Sequence, residues 1–138
     1  MTAKHSLASR HPMVLLICDQ DDESHGAAQV IAEQVEDFRT MACNQTAVKA
    51  VENFKPYVLL FALKDVASAV KFYSEMVKDD RVNYPHEAIL LCQNRESGAA
   101  FRCCYKGLFN DYFVYKPMFE NYRLKMIVHN ALLRCGKE

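Results

Sequence analysis

The 138-residue chain has no tryptophan, only four glycines and four prolines, and no excess of either charge. Seventeen Lys and Arg balance seventeen Asp and Glu, so no global field draws the protein to nucleic acid or to an anionic membrane. No dense basic run supplies a local one. No apolar stretch reaches the roughly 20 residues that a bilayer-spanning helix needs. The opening "MTAKHSLASRHP" lacks the apolar h-region of a secretory signal, and residues 1–12 are expected to form a flexible leader. Without an export signal the six cysteines, most of them within strand and helix patterns, read as reduced, half-buried thiols of a cytoplasmic protein. Neither an internal repeat nor a low-complexity tract is present. The length, with 51% hydrophobic and 25% charged residues, suits one soluble domain.

What is present is an alternation of strand and helix. "MVLLIC" (13–18) is a continuous apolar run closed by the acidic "DQDDES". Ala27, Ala28, Ile31, Val35 and Phe38 recur at three- and four-residue spacing and predict a helix from about 24 to 36. "FRTMAC" (38–43) is a more polar strand, expected near a sheet edge. Asn44 suits the N-cap of a helix carrying Ala47, Val48, Val51 and Phe54, which Pro56 stops.

"KPYVLLFALKD" (55–65) then gives a strand apolar on both faces, ending at Ala62. Val66, Ala69, Val70, Tyr73 and Val77 mark the next helix. "EAILLC" (87–92) is a further buried strand, "SGAAFRCCYKGLF" a helix with a glycine near each end, and "DYFVY" (111–115) the last strand. A final helix is expected from Pro117 through Phe119, Tyr122, Met126, Ile127 and Leu133. Five βα units with strands buried on both faces imply a five-stranded parallel sheet between two helical layers, a doubly wound α/β sandwich over residues 13–135.

In such sheets ligands bind beyond the carboxyl ends of the strands. The residues collected there are Asp19, Gln20, Asp21 and Asp22 after the first strand, Ala62 to Asp65 after the third, Cys92, Gln93 and Asn94 after the fourth, and Lys116-Pro117 after the fifth. "VLLICDQDD", "ACNQTAVKAVENFKPYVLLFA" and "DYFVYKP", in this order and spacing, resemble the receiver domain of two-component response regulators over residues 13 to 135.

That resemblance implies a phosphoryl-acceptor aspartate at the end of the third strand. It further implies two acidic residues after the first strand that hold Mg²⁺, a hydroxyl residue after the fourth, and a lysine before a cis proline after the fifth. Asp19 matches the first acidic position and Gln20 the second. Ala62 falls at the acceptor, Cys92 at the hydroxyl residue and Lys116 at the lysine. Alanine offers no nucleophile, Gln20 removes an anionic ligand, and a thiol is a poor donor to phosphate. The pattern implies a degenerate pseudo-receiver, a non-enzymatic module working through protein contacts, with no cofactor unless the acidic loop still takes Mg²⁺ at Asp19 and Asp21.

Other readings stay open. Asp65, three residues past Ala62, is a candidate displaced acceptor for a histidine kinase. The switch aromatic that the family carries on its fifth strand falls on Phe113 counting back from the lysine, or on Tyr112 by the "DY" dipeptide. One extra residue, as in a bulge, separates the two.

By resemblance, the face of the fourth helix, fifth strand and fifth helix carries homodimer or effector contacts. It would draw here on Ala99, Phe101, Tyr105, Phe113, Tyr122 and Lys125, serving a partner protein or a fused effector domain. A flavodoxin-like nucleotide or flavin binder is a third reading, weakened by the lack of a Gly-rich or Ser/Thr-rich phosphate loop after the first strand.

Blander roles compete residue by residue. Asp19 and Asp21 also suit a solvated loop before a helix, and Lys116 an ordinary strand end. Cys103 and Cys104 point about 100° apart on a helix and close no tetrahedral metal site. The five histidines are scattered, and none stands at ligand spacing from a carboxylate or cysteine.

Overall fold

A computed structural model describes residues 13–19, 24–116 and 120–136. Along the chain follow β1 (Val14–Cys18), α1 (His25–Gln34), β2 (Phe38–Ala42), α2 (Gln45–Phe54), β3 (Val58–Ala62), α3 (Val66–Lys78), β4 (Glu87–Gln93), α4 (Ser97–Tyr105), β5 (Asp111–Lys116) and α5 (Asn121–Arg134). A single 3₁₀ turn, Asn94–Glu96, leads into α4. All strand pairs are parallel, and the sheet order is β2-β1-β3-β4-β5. The chain starts near the middle, winds to one edge, returns and winds to the other, which is the doubly wound sandwich expected from the sequence. The more polar β2 stands at one edge.

Local chemistry sets the element ends. The Asn44 side chain accepts from the amides of Thr46 (2.9 Å) and Ala47 (3.3 Å), satisfying two of the donors that a helix start leaves over. α2 ends at Lys55, which takes a left-handed conformation (φ 51°) ahead of Pro56. Gly107, at φ 84°, closes α4: its amide reaches the Cys104 carbonyl and that of Leu108 reaches Cys103, a Schellman arrangement. α4 therefore stops at Tyr105, short of the 97–109 pattern, and Phe109 turns back into the core.

Because strand side chains alternate, the sheet feeds two cores. Val14, Leu16, Leu60, Ala62, Leu91, Phe113 and Tyr115 pack on the α1 and α5 layer. Leu15, Ile17, Leu59, Phe61, Leu90 and Cys92 pack on α2, α3 and α4. Each fully buried Leu, Ile or Phe contributes about 1.5–3 kcal/mol.

On the second face Phe61 is the hub of an aromatic cluster, with ring centroids 5.3 Å from Tyr73, 5.7 Å from Phe109 and 6.5 Å from Phe72. His86, just before β4, is fixed beside it. A carbonyl only accepts, so Nδ1–H must donate to the Tyr84 carbonyl at 2.8 Å; in the neutral ring Nε2 then accepts the Tyr73 hydroxyl at 2.6 Å.

Three helical faces differ from the periodic pattern. α1 ends at Gln34, and Val35 is extended while still buried. On α3 the core residue is Met76, whereas Val77 is 48% exposed, since spacings of three and four from Tyr73 reach both. On α5 the buried stripe is Leu124, Ile127, Val128, Ala131 and Leu132, with Tyr122, Met126 and Leu133 outside. Pro117, Phe119 and the expected leader lie outside the described residues. No helix among the described residues is long and apolar enough to cross a membrane.

Candidate functional site

The register of the sheet sets the candidate site in a row along its carboxyl edge. Cys18 of β1 pairs with Ala62 of β3, so Asp19, the next residue of the chain, emerges beside Ala62. Ala62 is 4% exposed and packs with the α1 and α5 layer. On the far side of β3 comes β4, whose Gln93 pairs with Lys116 of β5. Gln93, Asn94, Arg95 and Lys116 line a cleft of about 310 Å³. Asp19 and Ala62 are thus brought together, and Lys116 stands two strands away from Ala62 across β4. Gln20, Asp21 and the Lys116–Pro117 bond lie outside the described residues.

Of the described residues just past the strands, Asp19 alone carries a carboxylate where the resemblance implies metal ligands, and Ala62 adds none. No three His, Cys, Asp or Glu side chains gather to hold a metal ion among the described residues. Among the described residues Asp19 alone would offer a carboxylate to an Mg²⁺ ion there, a hard cation that takes oxygen ligands.

Cys92 faces the layer opposite to Ala62, with Leu90. Its thiol pKa is pushed up to about 11 by burial and, less, by the nearby Glu96 carboxylate. Cys104 is likewise raised to about 11 by burial and then by Asp111, and Cys43 is raised by burial and by Asp19. Such thiols stay protonated at neutral pH and are weak nucleophiles.

Asp65 is the N-cap of α3. Its Oδ1 accepts the Ser68 amide at 2.7 Å. The Ser68 side-chain bond first, and that amide second, hold its carboxyl below the usual range. The Val66 amide goes to a residue that the sequence did not single out: Glu96, whose Oε1 accepts it at 2.8 Å across a separation of 30 residues. Two carboxylates therefore cover the start of α3, where the helix dipole favours negative charge. The D-x-x-S spacing signals the first, but no local pattern signals the second.

Replacing Asp65 by Ala is expected to cost about 1 kcal/mol, the usual loss for a missing cap, in urea denaturation at neutral pH. A carboxylate with a depressed folded pKa stabilises above its unfolded pKa and loses that contribution as pH falls through the folded one. The gap between parent and variant should therefore close in acid.

The fifth strand carries the bulge that the extra residue suggests. Cys92 is opposite Val114, but Gln93 is opposite Lys116, so β5 spends one more residue than β4. Ahead of the bulge Tyr112 lies opposite Leu90 and packs on the Cys92 side of the sheet. Phe113, opposite Leu91, is buried on the Ala62 side.

This architecture is the receiver-domain fold. Solved structures that share it include the three that follow. The chain superposes on the N-terminal signal receiver domain of a two-component system response regulator from Bacteroides fragilis with a TM-score of 0.62 and 20% identity, covering 86% of this chain and 94% of that one. A response regulator from Desulfuromonas acetoxidans gives 0.64 and 17%, over 87% and 95%. The Legionella pneumophila response regulator LqsR gives 0.55 and 13%, over 91% of this chain and 45% of that one. At these identities the likeness establishes the fold. No protein-family model and no curated protein matches the sequence.

Proposed function

We propose that the protein is a signal-transduction module of receiver type that acts by protein–protein contact, without enzymatic activity and without aspartyl phosphorylation. The observation that carries this reading is Ala62. It ends β3 beside Asp19, enclosed among apolar side chains, at the place where a receiver needs its acceptor carboxylate. Asp19 and Lys116 stay at matching strand ends, as remnants of a pocket whose reactive centre is gone. Cys92, protonated and turned toward the other layer, lends little to phosphate binding.

A second reading keeps phosphorylation by a histidine kinase on Asp65 with Mg²⁺. Against it, the Asp65 carboxylate is engaged as a helix cap, and a phosphoryl group there would displace the Ser68 bonds. Contacts to an effector or a second copy are assigned to the α4-β5-α5 face. Phe101 and Tyr105 of α4 stack there at 5.8 Å, Tyr105 being 82% exposed, and Lys125 sits 5.6 Å above the Tyr122 ring.

Amide NMR with Mg²⁺ and then beryllofluoride, a mimic of phosphoryl-aspartate, tests the proposal. At millimolar concentrations the amides of Asp19, Ala62 and Lys116 are expected to stay unmoved. Saturable shifts around Asp65 that spread to Tyr112 or Phe113 would replace this reading with the second.

A further inference from the structure

The charges of α3 are segregated by flank. Glu75 and Asp79 line a crevice with Arg81 on the α2 side, whereas Lys71 and Lys78 stand on the α4 side. There they border a groove between α3 and α4, formed of two adjoining hollows of about 480 and 320 Å³ that meet at Leu108. Its floor is apolar, with Val70, Ala99 and Cys103 in the larger hollow and Val77 in the smaller. Val77 and Leu108 are 48% and 44% exposed, which leaves two aliphatic side chains open to water in one trough.

Arg102 and Lys106 complete a rim of four cations. Among the described residues none of the four is paired with a carboxylate, the ion pairs there being Arg81–Glu52, Lys125–Glu33 and Arg134–Glu87. The groove's single acid, Glu96, is turned inward onto the Val66 amide.

A chain with no net charge thus concentrates positive charge around one apolar trough. We infer that the α3–α4 groove docks an acidic amphipathic helix of a partner protein, with apolar anchors entering the two hollows and Asp or Glu side chains meeting Lys71, Lys78, Arg102 and Lys106. Spacing agrees: Ala67, Lys71, Ser74 and Lys78 repeat along α3 at four, three and four residues, over roughly 17 Å of helix, the span of about three turns in the partner. The inference deepens the protein-contact reading but uses the α3 side of α4, where Ala99 lies, and not the side assigned to β5 and α5, and it does not depend on the fate of the phosphorylation pocket.

The probe is a fluorescein-labelled helical peptide of about 16 residues with Leu at i, i+3, i+4 and i+7 positions and Glu on the flanks, beside a twin with Lys in place of Glu. Polarisation titrations on the full chain, with amide NMR to locate the contact, should show saturable binding of the Glu peptide alone, weakening as salt rises. Shifts should centre on residues 66–78 and 96–108.

A Lys71→Glu/Arg102→Glu variant, altered only at exposed positions, is expected to lose about tenfold or more in affinity for the Glu peptide and to gain affinity for the Lys twin. Leu108→Ser alone should weaken binding of the Glu peptide, and Tyr105→Ser alone should leave it unchanged. Equal binding of the two peptides, shifts centred on another face, no saturation, or a response to phosphatidylglycerol vesicles in place of peptide would overturn the proposal. Beryllofluoride shifts would leave it standing and remove only the phosphate-free reading.

Discussion

An Ala62→Asp variant is expected to be less stable than the parent by roughly 2–4 kcal/mol at neutral pH, with a melting point lower by about 10 °C. The loss arises because the position is enclosed: Ala62 is 4% exposed among Leu60, Leu91 and the α1–α5 layer. A carboxylate there loses hydration, and it also stands beside Asp19, which emerges from the paired strand. Burial and a neighbouring like charge both raise a carboxyl pKa.

A group whose pKa is raised on folding destabilises most above that raised value, and its cost shrinks as acid neutralises it. The deficit should therefore be smaller at pH 5 than at pH 7 in urea denaturation. Millimolar Mg²⁺ should recover part of it at pH 7 by bridging the two carboxylates. A variant as stable as the parent at both pH values would show that this strand end is wetter than its packing indicates.

Phe61→Ala should cost still more, about 3–5 kcal/mol, against the 5–15 kcal/mol that holds a domain of this kind folded. Phe61 is fully buried, and removing its ring leaves Tyr73, Phe109 and Phe72 facing a cavity. Two elements, β3 and α3, meet the α4–β5 loop in that cluster, so partial collapse cannot fill the space without moving α3 against the sheet. Phe61→Leu keeps most of the volume and should lose about 1.5 kcal/mol. Urea midpoints of the two variants check the order. Equal losses would mean that ring contacts, rather than volume, dominate the hub.

The strands could be read from the chain because β1, β3 and β4 are buried on both faces and so appear as unbroken apolar runs between polar turns. Helix positions were legible for the same reason, yet their faces were not. Val77 and Met76 are both compatible with the spacing on α3, and only the sheet beneath decides that Met76 goes inward. Ala62 and Lys116 were legible because strand ends are marked by their neighbours in sequence. Glu96 was not, since its partner Val66 lies 30 residues earlier and only the fold brings them together. Tyr112 and Phe113 stayed ambiguous for a geometric reason: a bulge reverses the inward–outward phase within one strand, and a sequence does not say on which side of it a residue sits.

That bulge lies at the rim of the sheet, since among the described residues β5 has a neighbour on one side only. An extra residue in a central strand would break two ladders; here it disturbs one. It also bends and twists the outer row of amides and carbonyls, so that a strand from another molecule finds no flat template for pairing. At the opposite rim β2 is five residues long and presents Arg39 and Thr40 to solvent. Both rims are thus poor sites for adding a foreign strand. On the proposed reading, contacts with partners fall to the helices, and both rims of the sheet disfavour edge-to-edge pairing.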